Sequence, residues 1–204
     1  MKNLDAIIFD LGGVILNIDY NLTREAFEKS GITNFHEMYS QAAADDLFEN
    51  LETGTVAEED FYNEFNKRIQ TALDNNEIRV NWNAMLLSFR EKSLEFLHSI
   101  KSKYKLYLLS NTNHIHLDAF NKIYYTGSRN KPFEKFFDKI YYSCEIGLRK
   151  PNADIYEFVL KENDLEAAKT LFIDDSVQNI EAANAVGLQT ILLKPGMYIE
   201  DLGL

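Results

Sequence analysis

The chain has 204 residues, 46% of them hydrophobic, a formal net charge of −11 and a single cysteine. This size and apolar fraction suffice for one α/β domain with an insert. The negative charge argues against nucleic acid or an anionic membrane as partner. One cysteine excludes an internal disulfide and a cysteine metal cluster. With no run of about 18 apolar residues and no apolar stretch behind a basic patch at the start, we expect neither a membrane span nor a secretory signal, and therefore a cytoplasmic protein.

The first apolar run ends in a carboxylate and a glycine turn. Ala6–Phe9 is too short for a helix and has the continuous apolar character of a strand buried on both faces of a parallel sheet. Asp10 follows at the carboxyl end of that strand, where open α/β sheets bind ligands. Gly12 and Gly13 lack side chains, so the backbone can turn sharply there and approach a ligand or ion closely. Taken alone, the stretch is equally compatible with an ordinary strand-to-loop turn.

Residues 17–88 predict a helical insert immediately after this strand. Their apolar residues no longer come in strand-like runs, and a helical spacing continues to Gly54. Thr55, with Glu58 three residues further on, forms a capping box that predicts the start of another helix. A last short helix is expected over residues 82–87.

From residue 89 onward, helices and short apolar runs alternate. We expect residues 194–204, after the last of these runs, to form an exposed tail. We expect Arg129 and Lys131 to lie in a solvated loop. The alternative is that they reach a bound ligand. The strands predicted after the insert are Leu106–Leu109, Ile140–Tyr142, Thr170–Ile173 and Thr190–Leu193.

The alternation of strands and helices determines the expected fold class. It implies right-handed crossovers and an α/β, Rossmann-like doubly wound parallel sheet. We predict that residues 1–16 and 89–204 form this core and that residues 17–88 form a small helical cap inserted after the first strand.

Side chains with chemistry collect at the carboxyl ends of the core strands. Asp10 follows the first strand, Ser110 and Asn111 follow the next, and the acidic pair Asp174–Asp175 follows a later one. Because all strand ends of a parallel sheet face one edge, these residues are expected to meet in one crevice. Lys150, at the entry of a helix, can join them.

This grouping indicates a magnesium site. Three carboxylates in one crevice repel one another, and a hard divalent cation relieves the repulsion. Mg²⁺ takes oxygen ligands, keeps several waters, and typically binds one or two carboxylates together with a substrate phosphate. Asp10, the carbonyl of Gly12 and Asp175 would supply three of its oxygens, with Asp174 binding directly or through water.

The same residues suit attack on phosphorus. A carboxylate beside Mg²⁺ stays ionised, so Asp10 can form an aspartyl-phosphate that water then hydrolyses. Ser110 and Asn111 can donate hydrogen bonds to the phosphoryl oxygens, and Lys150 can neutralise charge on them and on Asp10.

Each of these residues also has an ordinary structural explanation. The pair Asp174–Asp175 can mark a helix N-terminus, where acidic groups favour the positive end of the dipole. The segment 110–113 can be a helix cap, and a lysine before proline, such as Lys150, is usually solvated. His114 and His116 cannot face the same side of a helix, so we interpret them as surface or internally satisfied residues rather than ligands.

Taken together in this order, the motifs resemble the haloacid dehalogenase-like hydrolase superfamily, in its phosphatase branch with a helical cap. The resemblance covers essentially the whole chain. It implies that Asp10 is the nucleophile, Ser110 a phosphate ligand, Lys150 the charge-balancing lysine, and Asp10 with Asp174–Asp175 the Mg²⁺ ligands. The matching segments are Phe9-Asp10-Leu11-Gly12-Gly13-Val14, Leu109-Ser110-Asn111-Thr112-Asn113, Gly147-Leu148-Arg149-Lys150-Pro151 and Phe172-Ile173-Asp174-Asp175-Ser176.

One position departs from the family pattern. Most phosphatases of the superfamily carry a general acid two residues after the nucleophile, and here that position is Gly12. General acid catalysis typically contributes about 10²–10⁴-fold, so its loss is serious for a poor leaving group. A subgroup resembling bacterial alpha-D-glucose-1-phosphate phosphatases also has glycine here, which favours an anomeric leaving group. We hypothesise that Asp19 substitutes as the proton donor.

We therefore expect a Mg²⁺-dependent phosphatase acting on a small phosphomonoester, with a sugar phosphate such as a sugar-1-phosphate favoured. The insert would close over the crevice and choose the substrate, with hinges near residues 16–19 and 87–89. We expect a phosphorylated small molecule as partner, no nucleic acid or membrane, and a monomer or weak homo-oligomer.

Two alternatives stay open. One is a metal-free haloacid dehalogenase, against which the acidic pair argues for a metal and Gly12 replaces an expected aromatic residue. The other is a binding or regulatory protein that has lost turnover or that accepts a phosphoryl group on Asp10 as a signal. A phosphoryl-enzyme that persists without releasing phosphate would favour this second alternative.

Overall fold

Strands and helices alternate along most of the chain. A computed structural model describes residues 3–33, 35, 39–40, 43–44, 46–127 and 131–204, so that Arg129 lies outside the described residues. None of the described helices is long and apolar enough to cross a membrane. The strands are β1 (Ala6–Phe9), β2 (Leu16–Ile18), β3 (Tyr39–Ser40), β4 (Ala43–Ala44), β5 (Leu86–Phe89), β6 (Lys105–Ser110), β7 (Lys139–Tyr142), β8 (Thr170–Asp174) and β9 (Gln189–Leu192). The α-helices are α1 (Tyr20–Lys29), α2 (Asp46–Glu52), α3 (Glu58–Ile69), α4 (Asn75–Asn83), α5 (Glu91–Ile100), α6 (His114–Thr126), α7 (Ser143–Ile146), α8 (Ala153–Glu162) and α9 (Val177–Ala185).

A five-stranded parallel sheet with the order β7-β6-β1-β8-β9 forms the centre of the core. The chain starts in the middle with β1, moves outward through β6 and β7, and then crosses to the other side for β8 and β9. This is the doubly wound topology that the sequence predicts, and the α/β fold class is confirmed. The strand order reverses between β1 and β8, which places a crevice beyond the carboxyl ends of these two strands.

Both faces of the sheet are covered, as the continuous apolar strands require. On one face Ile7 and Phe9 of β1 pack with apolar side chains of α5 and α6. On the other face Ala6 and Ile8 pack with apolar side chains of α8 and α9. Successive residues of β1 therefore point to opposite layers, and all four are fully buried.

The described part of residues 17–88 consists mainly of the helices α1 to α4. They enclose a separate aromatic cluster in which the rings of Trp82 and Phe48 stack. At the border of this cluster the ring of Trp82 also stacks on His116 from α6. The chain leaves the core through β2 and returns through β5, and these two strands pair antiparallel with Leu16 opposite Phe89. The division into core and cap at these residues stays a prediction.

The predicted capping box is wrong. Helix α3 begins after Ala57, which caps it without a side-chain hydrogen bond. The Thr55 hydroxyl instead donates to the backbone carbonyl of Asn50 at 3.1 Å. Thr55 thus closes the end of α2 rather than the start of α3, because a helix C-terminus leaves carbonyls that need donors.

The predicted short helix over residues 82–87 is also wrong. Helix α4 starts at Asn75, where the carboxylate of Asp74 accepts from the backbone N–H of Glu77. It ends at Asn83, and the following residues form strand β5. A four-residue strand is too short for its period to be recognised beside a helix.

The chain end is not the exposed tail that the sequence predicts. Ile199 is fully buried in the core cluster, and it begins a short 3₁₀ helix, Ile199–Asp201. Glu200 accepts a hydrogen bond from the buried Ser93 hydroxyl of α5 at 2.9 Å. The apolar run of residues 197–199 is too short to show a periodicity, so the sequence does not predict this docking.

Candidate active site

Three carboxylates meet where β1 and β8 end. Asp10 follows β1, Asp174 is the last residue of β8, and Asp175 comes next. One oxygen from each lies within 4.8 Å of the others, with Asp10 and Asp174 buried. The structure therefore brings these predicted site residues together, while their assignment as metal ligands stays a prediction.

Lys150 connects two of these carboxylates. Its Nζ atom donates to Asp10 Oδ1 and to Asp174 Oδ2, both at 2.7 Å, and the side chain is only 2% exposed. Burial alone would lower the pKa of the Lys150 ammonium, but the two carboxylates outweigh burial and raise it. Lys150 is therefore a fixed cation, and with Asp175 the cluster keeps an excess of negative charge.

Asn111 holds the backbone that carries Lys150. Its Nδ2 donates to the Lys150 carbonyl at 2.8 Å and its Oδ1 accepts from the Lys150 N–H at 2.9 Å. Both polar atoms of the side chain are thus used for positioning, a contact that the sequence analysis missed. Ser110 is the last residue of β6, is 3% exposed, and lines the cavity into which Asp10 and Lys150 also face.

Asp174 is surrounded by donors. Besides Lys150, it accepts hydrogen bonds from the Ser176 backbone N–H at 2.8 Å and from the Asn179 Nδ2 at 3.0 Å. Its exposed fraction is 0%. Because its lone pairs are largely occupied by protein donors, Asp174 is better suited to orient Lys150 than to bind a metal directly.

The two other carboxylates titrate at unusually high pH for their type. Burial raises the pKa of Asp10 to about 7, with Lys150 opposing and the neighbouring carboxylates reinforcing the shift. Burial together with the charge of Asp174 raises the pKa of Asp175 to about 6. Burial and close negative charge both penalise the ionised form, and a divalent cation would remove that penalty.

Affinity for Mg²⁺ is expected to fall as the pH drops below about 7, because the ligand carboxylates must be ionised to bind it. In the metal-free protein the pKa of Asp10 is about 7 and that of Asp175 about 6. Each proton that the metal must displace changes the Kd about tenfold per pH unit. The Kd should therefore rise about tenfold per unit just below pH 7, where Asp10 is protonated, and more steeply below about pH 6, where Asp175 is protonated as well. Calorimetric Mg²⁺ titrations at about pH 8, 7 and 6 measure this, and the Asp10→Asn variant should give a shallower dependence. A Kd that stays constant over this range would contradict the prediction.

The glycine turn after β1 fits the close approach of Asp175. Gly13 has a φ of +69°, and a Cβ atom built there would lie only 2.1 Å from Asp175 Oδ2. Gly12 faces Ile18, whose Cδ1 would lie 3.1 Å from an added Cβ. The turn thus has no room for a side chain at Gly13 and little at Gly12, unless Ile18 moves.

A cavity of about 370 Å³ opens above these residues. This volume is in the range of small-molecule sites. Its lining combines apolar side chains with amide and charged side chains. The apolar lining residues include Leu11, Leu16, Ile18, Met85, Leu86 and Phe120, and the polar ones include Glu49, Glu52, Asn111, Arg149, Asn152 and Gln178.

The structure does not bring Asp19 into this cavity. Its Oδ1 accepts from the backbone N–H of Asn21 at 2.9 Å, so that Asp19 caps helix α1. Its neighbours Ile18 and Tyr20 line the cavity instead. The position therefore argues against the hypothesis that Asp19 is the proton donor.

His114 is exposed, whereas His116 is buried and lines the cavity. The Nδ1 atom of His116 lies 2.8 Å from Asn83 Oδ1, and burial lowers its pKa to about 3. His116 is thus a neutral, hydrogen-bonded contact between α6 and α4, in line with its interpretation as a satisfied residue.

Sequence reasoning missed an ion-pair group in the lining of the cavity. Arg149, next to Lys150 in the chain, contacts Glu49 and Glu52 of α2. The only signal in the sequence is two acidic residues spaced for one helix face. Nothing in it pairs them with an arginine about a hundred positions away.

Comparisons with known proteins agree with this geometry. The sequence profile of a family described as haloacid dehalogenase-like hydrolase matches residues 4–187. The D-ribitol-5-phosphate phosphatase of Bacteroides thetaiotaomicron is 28% identical over 184 residues, covering 90% of this chain and 89% of that protein.

Two solved structures are similar over nearly the whole chain. A variant of a HAD family enzyme from Bacteroides thetaiotaomicron, in complex with magnesium and inorganic phosphate, superposes with a TM-score of 0.89 at 30% identity, covering 95% of this chain and 96% of the other. A predicted HAD-like family hydrolase from Porphyromonas gingivalis gives a TM-score of 0.84 at 31% identity, covering 95% and 92%.

Proposed function

Since the chain belongs to the haloacid dehalogenase-like hydrolase family, we propose that it is a Mg²⁺-dependent phosphatase that hydrolyses a small phosphomonoester through an aspartyl-phosphate on Asp10. One observation carries the proposal: Lys150 bridges Asp10 and Asp174 beside Asp175, at the floor of a cavity of small-molecule size. Two relatives support it: one is a named phosphatase, and the other was solved in complex with magnesium and inorganic phosphate.

The donor set fits Mg²⁺. Asp10 and Asp175 offer hard oxygen ligands, the cluster has more negative charge than Lys150 neutralises, and the Gly12 carbonyl lies in the same turn. Asp174 would act through Lys150 and ordered water, because its oxygens already accept protein hydrogen bonds. When bound, the ion would neutralise the phosphoryl group and keep Asp10 ionised.

The residues then divide the reaction among them. An oxygen of Asp10 attacks phosphorus, the P–O bond to the alcohol breaks, and the phosphoryl group is carried by Asp10. The alkoxide that leaves takes its proton from solvent water, because Gly12 supplies no general acid. Lys150 holds Asp10 in position and offsets charge on the transferring oxygens, while Ser110 donates a hydrogen bond to them. Water attacks phosphorus in the second step, which releases inorganic phosphate and restores the Asp10 carboxylate.

A sugar or polyol phosphate is the proposed substrate class. Amide, charged and apolar side chains all line the cavity, and the amide and charged groups can bind an alcohol with several hydroxyl groups. The relative named for D-ribitol 5-phosphate supports the class. A sugar-1-phosphate, whose anomeric oxygen leaves without strong protonation, stays a prediction that follows from Gly12.

Release of inorganic phosphate from a panel of esters tests the proposal. The panel contains sugar-1-, sugar-6- and pentitol phosphates, each with Mg²⁺ and with a chelator. Turnover that requires Mg²⁺ is expected for at least one polyhydroxylated ester. If no ester of the panel releases phosphate in the presence of Mg²⁺, the proposed function is wrong.

A second candidate rests on Gly12. Without a general acid at that position, the protein would accept a phosphoryl group on Asp10 and act as a binding or regulatory protein. A phosphoryl-enzyme that forms and persists for hours would favour this candidate. A metal-free dehalogenase is disfavoured, because the negative cluster around Asp10 has too little positive charge without a metal.

A further inference from the structure

Glu52 is held at the cavity wall by an arginine from the core. Arg149 Nη2 and Nε lie 2.8 Å and 3.0 Å from Glu52 Oε2, and Arg149 Nη1 lies 2.7 Å from Glu49 Oε1. The side chains of Arg149 and Glu52 are 17% and 12% exposed, whereas that of Glu49 is 49% exposed. Glu52 is therefore the inner carboxylate of the group and Glu49 the outer one.

Only one of the two carboxylate oxygens of Glu52 accepts a hydrogen bond from a described residue. Both contacts to Arg149 end on Oε2, and among the described residues Oε1 has no hydrogen-bond donor. Glu52 lines the cavity that contains Asp10 and Lys150. Oε1 is therefore free to accept a hydrogen bond from a ligand in the cavity, and a bond to a charged acceptor adds affinity.

Helix stability does not explain an acidic residue at this position. Glu52 is the last residue of α2, where the negative end of the helix dipole disfavours a carboxylate. Burial also raises the pKa of Glu52, and its charge contributes to the raised pKa of Tyr20 across the cavity. The carboxylate thus has an electrostatic cost that the pairing with Arg149 only partly offsets.

We propose that Glu52 accepts hydrogen bonds from hydroxyl groups of the substrate alcohol, and that it selects uncharged polyhydroxylated phosphate esters over esters whose far end is anionic. This inference rests on the proposed function and deepens it. The phosphoryl group would bind near Lys150, and the cavity lining also presents two carboxylates and one arginine, a group whose net charge is negative. The negative group would repel a carboxylate or a second phosphate on the substrate, whereas a substrate hydroxyl can donate a hydrogen bond to Oε1 of Glu52.

Three esters of equal carbon number separate these effects. Ribitol 5-phosphate has hydroxyls and no far charge, pentyl phosphate has neither, and 5-phosphoribonate has hydroxyls and a far carboxylate. In the Mg²⁺-loaded native protein, kcat/KM should be highest for ribitol 5-phosphate. In Glu52→Gln and Glu52→Met, the preference for ribitol 5-phosphate over 5-phosphoribonate should fall about 10- to 100-fold. Glu52→Met should also lose the preference over pentyl phosphate.

The matched control is Glu162→Gln, which removes a half-exposed carboxylate from an ion pair with Lys139 that does not line the cavity. It should keep both preferences within about threefold of the native values. If the Glu52 variants lower kcat/KM for all three esters equally, Glu52 only positions Arg149 and the inference is wrong. If the native protein hydrolyses none of them, the proposed function fails, and calorimetric binding of the same three esters decides the inference: discrimination that depends on Glu52 supports it, and equal binding overturns it.

Discussion

Replacing Asp10 by asparagine is expected to lower the rate of phosphate release by at least about 10³-fold on every ester that the native protein hydrolyses. Asparagine keeps the size of the side chain but has no anionic oxygen to attack phosphorus. The change also removes one of the two carboxylates that bind the Lys150 ammonium, so the lysine keeps only its 2.7 Å contact to Asp174. Steady-state phosphate release with Mg²⁺ present measures the loss.

The control for Asp10→Asn is Asp138→Asn. Asp138 accepts from the backbone N–H of Leu106 at the opposite end of β6, so its loss tests the stability of the sheet without touching the site. Circular dichroism should show both variants folded, and trapping with labelled ester should give a labelled protein only when Asp10 is present. Phosphate release by Asp10→Asn at more than about a tenth of the native rate would exclude Asp10 as the nucleophile.

Replacing Lys150 by methionine is expected to lower the free energy of unfolding by about 3–5 kcal/mol at neutral pH, because it leaves two buried carboxylates without their shared cation. Methionine fills a similar volume, so the loss reports charge rather than packing. Burial already raises the pKa of Asp10 to about 7 with the ammonium in place, and its removal raises that pKa further. A carboxyl group whose pKa is higher in the folded state destabilises the fold above its unfolded pKa, and the cost disappears as it becomes protonated.

The stability deficit of Lys150→Met should therefore be largest near pH 8 and shrink as the pH falls below about 7, where Asp10 is protonated in both folded proteins. Urea denaturation of both proteins across this range measures it. Millimolar Mg²⁺ should recover part of the deficit, because the cation would bind the freed carboxylates. Lys139→Met, which breaks a half-exposed ion pair with Glu162, is the matched control and should change the free energy of unfolding far less than Lys150→Met does. A Lys150→Met deficit equal to that of the control would contradict the account of Lys150 as the charge-balancing group.

The parts of the fold that the sequence predicts are those with strong local patterns. The strands of the parallel sheet are continuous apolar runs, and Asp10 and Asp174–Asp175 could be assigned to one edge because each stands where such a run ends. Parallel topology then implies that they are neighbours, although more than 160 positions separate them in the chain.

The parts that the sequence does not predict depend on contacts between distant segments. Arg149 and Glu52 are 97 positions apart, and neither has a local pattern that names the other. Asn111 has the sequence context of a helix cap, yet its side chain is bonded to the backbone of Lys150. Strand β5 is four residues long and follows closely on a helix, and Ile199 ends an apolar run of only three residues, so neither is long enough to show a periodicity.

The antiparallel pairing of β2 with β5 has a consequence for how this architecture tolerates change. The chain leaves the core at Leu16 and returns at Phe89, and these two residues face each other across one ladder. Paired backbones lie about 5 Å apart, so everything between them is, topologically, the loop of a β-hairpin. Lengthening, shortening or exchanging that loop leaves every strand of the parallel sheet in its register. Segments of another length or sequence can therefore be acquired at this one point while the sheet edge that carries Asp10 and Asp174 is inherited unchanged.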